Sequence, residues 1–297
     1  RGYRLRPKVL TVVPENPKQN VIRIFNYFDF KQSNEIVNWI TERFIDLDAL
    51  NVKNELESFL QDENYGSTQE KRAAKLKLAK EIALFYNIWG GIIGFTFGFF
   101  PQQFTFITLL AIPLVGIVLL YTFKLITFLS GEQESIKPHI FYGFIIPSVS
   151  LLFKTAQPNF FDYDNMWGPL FGFCILVILL ISYHGINKLA SSVFQQVIII
   201  IIAGSVYGLG TFKTINCVFD RSGVESVPVI IQDKFTKEGK GTSYYFRLSE
   251  WNSSNGKTEE KVFRKMFNQK QVGDTIAIKL KKGMLNVPWY TISSNND

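Results

Sequence analysis

"KRAAKLKLAKEIALFYNIWGGIIGFTFGFF", residues 71–100, begins as a basic helix and ends without a single charge. Lys71, Arg72, Lys75, Lys77 and Lys80 suit either a grip on a polyanion or the foot of a membrane span. The residues that follow separate the two readings. No Asp, Glu, Lys or Arg occurs between Glu81 and Lys124, between Asp164 and Lys188, or between Lys188 and Lys213. A spanning helix takes about 20 apolar residues, so the first gap holds two spans and each of the others one. Buried helices of soluble proteins keep a polar face, which these stretches lack. The five cations are therefore read as membrane-interface cations, their alkyl stems along the hydrocarbon and their ammonium groups in water.

The overall apolar content of 47% hides this distribution, because both flanks read as ordinary soluble sequence. A net charge of +7 raises the question of a nucleic-acid partner. Its cations hug the ends of apolar segments, so lipid headgroups and topology account for them and no nucleic acid is expected. Cys174 lies inside one apolar run and Cys217 just beyond another, with no metal-ligand spacing and no evident disulfide. The chain opens on Arg1 without a signal-peptide pattern, and residues upstream of it are expected.

Outward from the opening stretch, five spans are expected, over about 82–100, 104–123, 139–156, 167–186 and 192–211. Pro147 interrupts the third, whose short uncharged core allows a kink or a re-entrant path. Ser67, with Glu70 three residues later, has the capping-box form and starts the first helix. Lys71, Arg72, Lys75, Lys77, Lys80, Lys124, Lys137 and Lys188 fall on one side; Lys154, Lys213 and Arg221 fall on the other. The positive-inside rule puts the N-terminal region in the cytoplasm and, with an odd number of spans, the C-terminal domain outside.

Residues 1–66 read as a short β-plus-helix region: β-rich "VLTVV" and "VIRIFNYF" separated by a turn, then helices across 33–44 and 49–60. Arg4, Arg6 and Lys8 share one strand face, either solvated or facing anionic lipid. Residues 67–212 form the amphipathic helix and bundle, and 213–297 a soluble all-β domain. Its candidate strands are 227–235, 243–251, 259–267, 275–280 and 289–292, with Asn255-Gly256 as a hairpin signal. Short strands at this spacing suggest a small sandwich or an OB-like barrel. The fold class is thus an α-helical polytopic membrane protein with a small β domain.

Gly90, Gly94 and Gly98, then Gly168 and Gly172, then Gly204 and Gly208 repeat at four-residue spacing, which bares backbone on one helix face for close helix packing. Tyr244, Tyr245, Trp251 and Trp289 are candidate partner-surface residues, although strand alternation would bury half of such a row. No span centre carries an acid or base of the kind an ion-coupled carrier keeps there. Ser205 with His184 or His139 is a conceivable nucleophile and base, but no protease signature, P-loop or dinucleotide motif accompanies them. No catalytic residue, cofactor or metal is therefore assigned.

Two stretches carry a resemblance. "WITERFIDLD…LQDENYGSTQEKRAAKLKLAKEIALFYN" (39–87) resembles the segment that joins a cytoplasmic β module to the first span in uncharacterised, Bacteroidetes-like multi-pass inner-membrane proteins of bacteria. "VGDTIAIKLKKGMLNVPWY" (272–290) is similar to the end of a small β domain in the same proteins. The resemblance implies that Gly273 and Asp274 turn the chain into a strand, Gly283 turns it out, and Trp289 and Tyr290 close the core. Asn286 stands where a glycine is usual. The N-terminal end also resembles the last strands of a PH-like module. The expectation is a non-enzymatic envelope scaffold that displays its β module to a protein partner. The alternative is a small-solute transporter or channel component.

Overall fold

The computed structural model describes residues 2–6, 9–16, 18–26, 29, 31–100, 102–129, 135–156, 159–161, 165–186, 193–239, 241–251 and 259–293. Lys8, Lys188 and the Asn255-Gly256 turn lie outside them. The chain forms two compact units that cut across its long helices: Arg1–Ile92 with Leu114–Phe144 and Leu179–Ile202, and Ile93–Pro113 with Ile145–Ile178 and Ala203–Asp297.

In the first unit, strands β1 (Gly2–Arg6), β2 (Val9–Val13), β3 (Ile22–Phe25) and β4 (Ile45–Asp46) make a sheet of order β3-β2-β1-β4. Helix α1 (Ser33–Arg43) covers one face, with Ile40 against Tyr3 and Leu10. Helix α2 (Leu47–Gln61) begins at Asp46, whose carboxylate accepts from the N–H groups of Asp48 and Ala49. Helix α3 (Gln69–Gly98) has 30 residues. Its first turn is capped by Thr68, whose Oγ1 accepts from Lys71 N–H at 3.3 Å, rather than by Ser67. Arg72, Leu76, Ala79, Ala83 and Tyr86 form its buried stripe at intervals of three or four, while Leu84, Phe85, Ile88 and Trp89 stay exposed on the opposite side.

Helices α4 (Gln103–Thr122), α5 (Phe141–Lys154), α6 (Trp167–Gly185) and α7 (Val193–Lys213) complete the apolar middle. Three stretches are long and apolar enough to cross a membrane: Phe104–Thr122, Trp167–Gly185 and Val193–Val218. Their spanning windows are only 33%, 17% and 39% buried, and each helix leaves large apolar side chains exposed, among them Val118, Leu179 and Ile202. That pattern is what acyl chains solvate and water does not. The other two expected spans do not meet the same measure. Helix α5 has 14 residues, about 21 Å at 1.5 Å per residue, against a hydrocarbon core of about 30 Å. The apolar half of α3 is diluted by Tyr86, Asn87, Trp89 and its glycines. The architecture is therefore mixed helix and sheet, with three candidate membrane spans among the described residues and a curled β domain.

That domain belongs to the second unit. Strands β5 (Asn159–Phe160), β6 (Glu225–Glu238), β7 (Thr242–Leu248), β8 (Glu259–Val262), β9 (Thr275–Lys281) and β10 (Trp289–Ser293) form one sheet of order β5-β10-β9-β6-β7-β8. The 14-residue β6 pairs with β9 through its first half and, past a register shift between Ile231 and Asp233, with β7 through its second. The shift bends the strand and curls the sheet. Val229, Ile231, Phe246, Leu248, Val262, Ile276, Ile278 and Tyr290 fill the interior. Tyr290 Oη donates to Glu260 Oε1 at 2.7 Å, tying β10 to β8 across the core.

The strand expected over 259–267 is not continuous. It ends at Val262, and helix α8 (Arg264–Gln269) follows. Phe263, Met266 and Phe267 are spaced three and four apart, a helical period that a β reading overlooks. Phe267 stacks on Phe246 with ring centroids 5.8 Å apart.

Candidate functional site

The β domain is fastened to the end of α7 by two buried polar residues. After Lys213 the helix widens into one π turn, Thr214–Val218, which aims Asn216 at the β9–β10 loop. Asn216 Nδ2 donates to the Val287 carbonyl at 2.8 Å, and its Oδ1 accepts from Leu285 N–H at 3.1 Å. Its carbonyl accepts from Met284 N–H at 3.0 Å. Asp220 takes up the rest. Its Oδ1 accepts from Ser222 N–H at 2.7 Å, and its Oδ2 from Gly283 N–H at 3.0 Å and Trp289 Nε1–H at 2.9 Å. Burial pushes the Asp220 carboxyl up, but these bonds outweigh it and hold the group below its ordinary value.

Gly283 is required there. It has φ +77°, and a Cβ on it would lie 2.5 Å from Asn216 Oδ1. Asn286, with φ +57°, holds the second left-handed position. Phe160, Met166, Phe212, Cys217, Val287 and Trp289 pack around the joint. Strand β5, from the connection between α5 and α6, pairs Phe160 with Trp289 and extends the sheet.

The opposite feature of the domain is its outer face on β6, β7 and β8. Phe235 and Tyr245 stack across strands with centroids 5.5 Å apart and planes 9° apart. Lys237 Nζ lies 4.7 Å from the Tyr245 ring centroid, and the Arg247 guanidinium 5.5 Å from that of Phe235. Lys237 pairs with Glu259 at 3.1 Å; Arg247 pairs with Glu259 at 3.2 Å and with Asp233 at 3.5 Å. Hydrogen bonds from Lys237 and Arg247 lower the Glu259 pKa. The result is a flat aromatic surface framed by ordered charges.

Of the four partner-surface residues expected from sequence, Tyr245 lies on this face. Tyr244 points inward against Phe267, and Trp251 packs on Phe161 and Tyr290. Trp289 is 9% exposed, its indole nitrogen committed to Asp220, so it offers no surface. Phe235, Lys237 and Arg247 complete the face. Arg247 follows from alternation with the buried Phe246, but Phe235 and Lys237 lie at even spacing from Val229 and Ile231 and would read as inward; the register shift between Ile231 and Asp233 turns them out.

The glycines divide likewise. A Cβ on Gly90 would stand 2.9 Å from the Gly143 backbone, and one on Gly94 2.7 Å from Pro147. Gly98 faces Ser150, Gly204 faces Ile178 and Gly208 faces Cys174. Gly168 and Gly172 face nothing within 4 Å, so they are not helix-packing positions among the described residues.

Lys71, Lys75, Lys77 and Lys80 are exposed on the basic start of α3, with Lys77 near Glu81 at 3.9 Å. Arg72 is not an interface cation. It is 6% exposed, with Nε donating to Gly66 O at 2.7 Å and Nη1 donating to Leu60 O, where it ties off the end of α2.

Two polar anchors escaped the sequence reading. Asn87 lies within the apolar half of α3: its Nδ2 donates to His139 O at 2.7 Å and its Oδ1 accepts from Gly143 N–H at 2.9 Å, capping α5 from a neighbouring helix. Glu55 accepts from Ser135 Oγ and Ile136 N–H, both at 2.9 Å, and docks α2 onto the segment before α5. An uncharged asparagine inside an apolar run was the available signal for Asn87. Glu55 had none.

Comparison with protein-family models, with curated proteins and with solved structures gives no match for this chain.

Proposed function

We propose that this chain is a five-span protein of a bacterial inner membrane whose last span carries an OB-like β domain as a rigid display module for a protein partner. The observation that carries the reading is the Asn216–Asp220 joint. A soluble-type β domain is bonded directly to the end of a membrane-length helix, so it is held in one orientation to the bilayer. A flexible tether would give it none. The strand order supports the OB-like reading: the long bent β6 pairs with both β7 and β9, and α8 sits between β8 and β9. The Phe235–Tyr245 face is the partner surface, combining rigid aromatic area with charges that select a complementary rim.

In this reading α3 and α5 also span. Helix α3 does so through residues 82–98, and α5 through its close seat on α3 at Gly90 and Gly94, with Asn87 capping its end. The cation count around the spans puts residues 1–66 in the cytoplasm and the β domain outside. The likeness of residues 39–87 and 272–290 to Bacteroidetes-like inner-membrane proteins belongs to the same proposal. Impermeant thiol labelling of Cys substitutions at Lys53 and Lys265 in intact cells tests the topology: the first protected and the second labelled is the expected result. Site-specific photocrosslinking from Tyr245 tests the display. A discrete adduct in the membrane-embedded chain, lost on Phe235→Ala, supports it; the same adducts with and without Phe235 refute it.

A further inference from the structure

The candidate span Val193–Val218 ends at the rim of a cavity of about 550 Å³, a volume suited to a small ligand. Val218, Phe219, Asp220, Arg221 and Met284 line it. The walls are of two kinds. Val218, Phe219 and the exposed Met284 supply an apolar side. Arg221 is exposed and has no hydrogen bond or ion pair among the described residues. Lys282 lies outside the lining on the neighbouring loop, where its backbone N–H donates to Ser222 Oγ at 3.2 Å; it is exposed, and its ammonium group is likewise unpaired among the described residues.

Asp220 would repel an anion if its charge faced the cavity. It does line the cavity, but both of its oxygens are turned to the N–H donors of Ser222, Gly283 and Trp289, which spreads the charge, and the residue is buried while the cations are exposed. Lys281 Nζ donates to the Asp220 carbonyl at 3.3 Å and adds a third positive charge nearby. The mouth is therefore cationic and the flank greasy, at the level where a membrane-length helix stops.

From these observations we infer that the cavity holds the phosphate of an anionic phospholipid, with Arg221 and Lys282 on the phosphate and the first acyl carbons against Phe219 and Met284. Guanidinium is the better partner for a phosphate because it donates in a fixed fork. The inference rests on the membrane reading above. A bound headgroup at this point would brace the joint between helix and β domain from the lipid side.

Native mass spectrometry of the full chain in detergent, titrated with phosphatidylglycerol, phosphatidylcholine or inorganic phosphate, tests it. Each cation near a membrane surface contributes about a factor of five, so Arg221→Ala with Lys282→Ala should weaken phosphatidylglycerol retention roughly thirtyfold. Phosphatidylcholine carries the same phosphate offset by its choline cation, so its retention should be weaker in the wild type and fall less in the variant. The exposed pair Arg264→Ala with Lys265→Ala removes the same charge elsewhere on the β domain and should leave retention as in the wild type. Equal retention by wild type and the Arg221/Lys282 variant overturns the site, as does an equal loss in the Arg264/Lys265 control. Displacement of the lipid by millimolar inorganic phosphate overturns the lipid as the source. A chain that stays monodisperse without detergent sinks the membrane reading itself. A detergent-dependent chain with indifferent Arg221 and Lys282 sinks only the headgroup site.

Discussion

Replacing Asp220 with alanine deprives three donors at once: Ser222 N–H, Gly283 N–H and Trp289 Nε1–H. Gly283 and Trp289 are buried, so water does not replace the lost acceptor for either. A buried donor left unmade costs about 1–3 kcal/mol, which gives about 3–5 kcal/mol for the variant once partial relaxation at half-buried Ser222 N–H is allowed. Trp289→Phe removes a single bond to a charged acceptor and should cost about 1.5–3 kcal/mol. The two substitutions share that bond, so together they should fall short of additivity by a similar amount. For a domain of this size, about 2 kcal/mol lowers Tm by roughly 8–16 °C. The assay is thermal unfolding of the full chain in detergent, read as loss of protease resistance in the β domain. Additive losses, or an Asp220→Ala effect below about 1 kcal/mol, would refute the claim that this carboxylate fastens the domain.

Further outcomes follow from the same geometry. The Asp220 carboxyl is held below its ordinary value, so its stabilisation is complete at neutral pH and is lost as pH falls below about 4; the Tm gap between wild type and Asp220→Asn should narrow in acid. Gly94→Ala drives a methyl against Pro147 and should destabilise the detergent-solubilised chain by about 1–3 kcal/mol, whereas Gly172→Ala should be neutral or slightly stabilising; equal thermal shifts would contradict the packing described. Asn87→Leu keeps the branched shape but strands the His139 carbonyl and the Gly143 N–H, for a loss of about 2 kcal/mol in thermal stability. Arg72→Ala should cost about 2 kcal/mol by freeing the Leu60 and Gly66 carbonyls, while Lys75→Ala stays within about 0.5 kcal/mol; the comparison separates a structural arginine from interfacial lysines.

The amino-acid sequence by itself determined the apolar middle, the basic start of α3 and the β character of the C-terminal region. These depend on local composition and period: an uncharged run of membrane length, cations at its foot, alternation along a strand. It also marked Gly90, Gly94, Gly204 and Gly208 as bare backbone, but the same spacing at Gly168 and Gly172 gave the same signal with nothing within 4 Å among the described residues. Only the tertiary structure decided which small residues meet a neighbour, because spacing fixes a face and not what lies against it. Arg72 reads as one of five equivalent cations until the Leu60 and Gly66 carbonyls are placed beside it. Trp289 reads as a surface aromatic from its strand and as a core residue from the resemblance; the N–H it gives to Asp220, 69 residues away, decides for the core. Asn87, Glu55, Asn216 and Asp220 matter through partners distant in sequence, and a hydrogen bond between remote residues leaves no periodic trace in the chain that makes it.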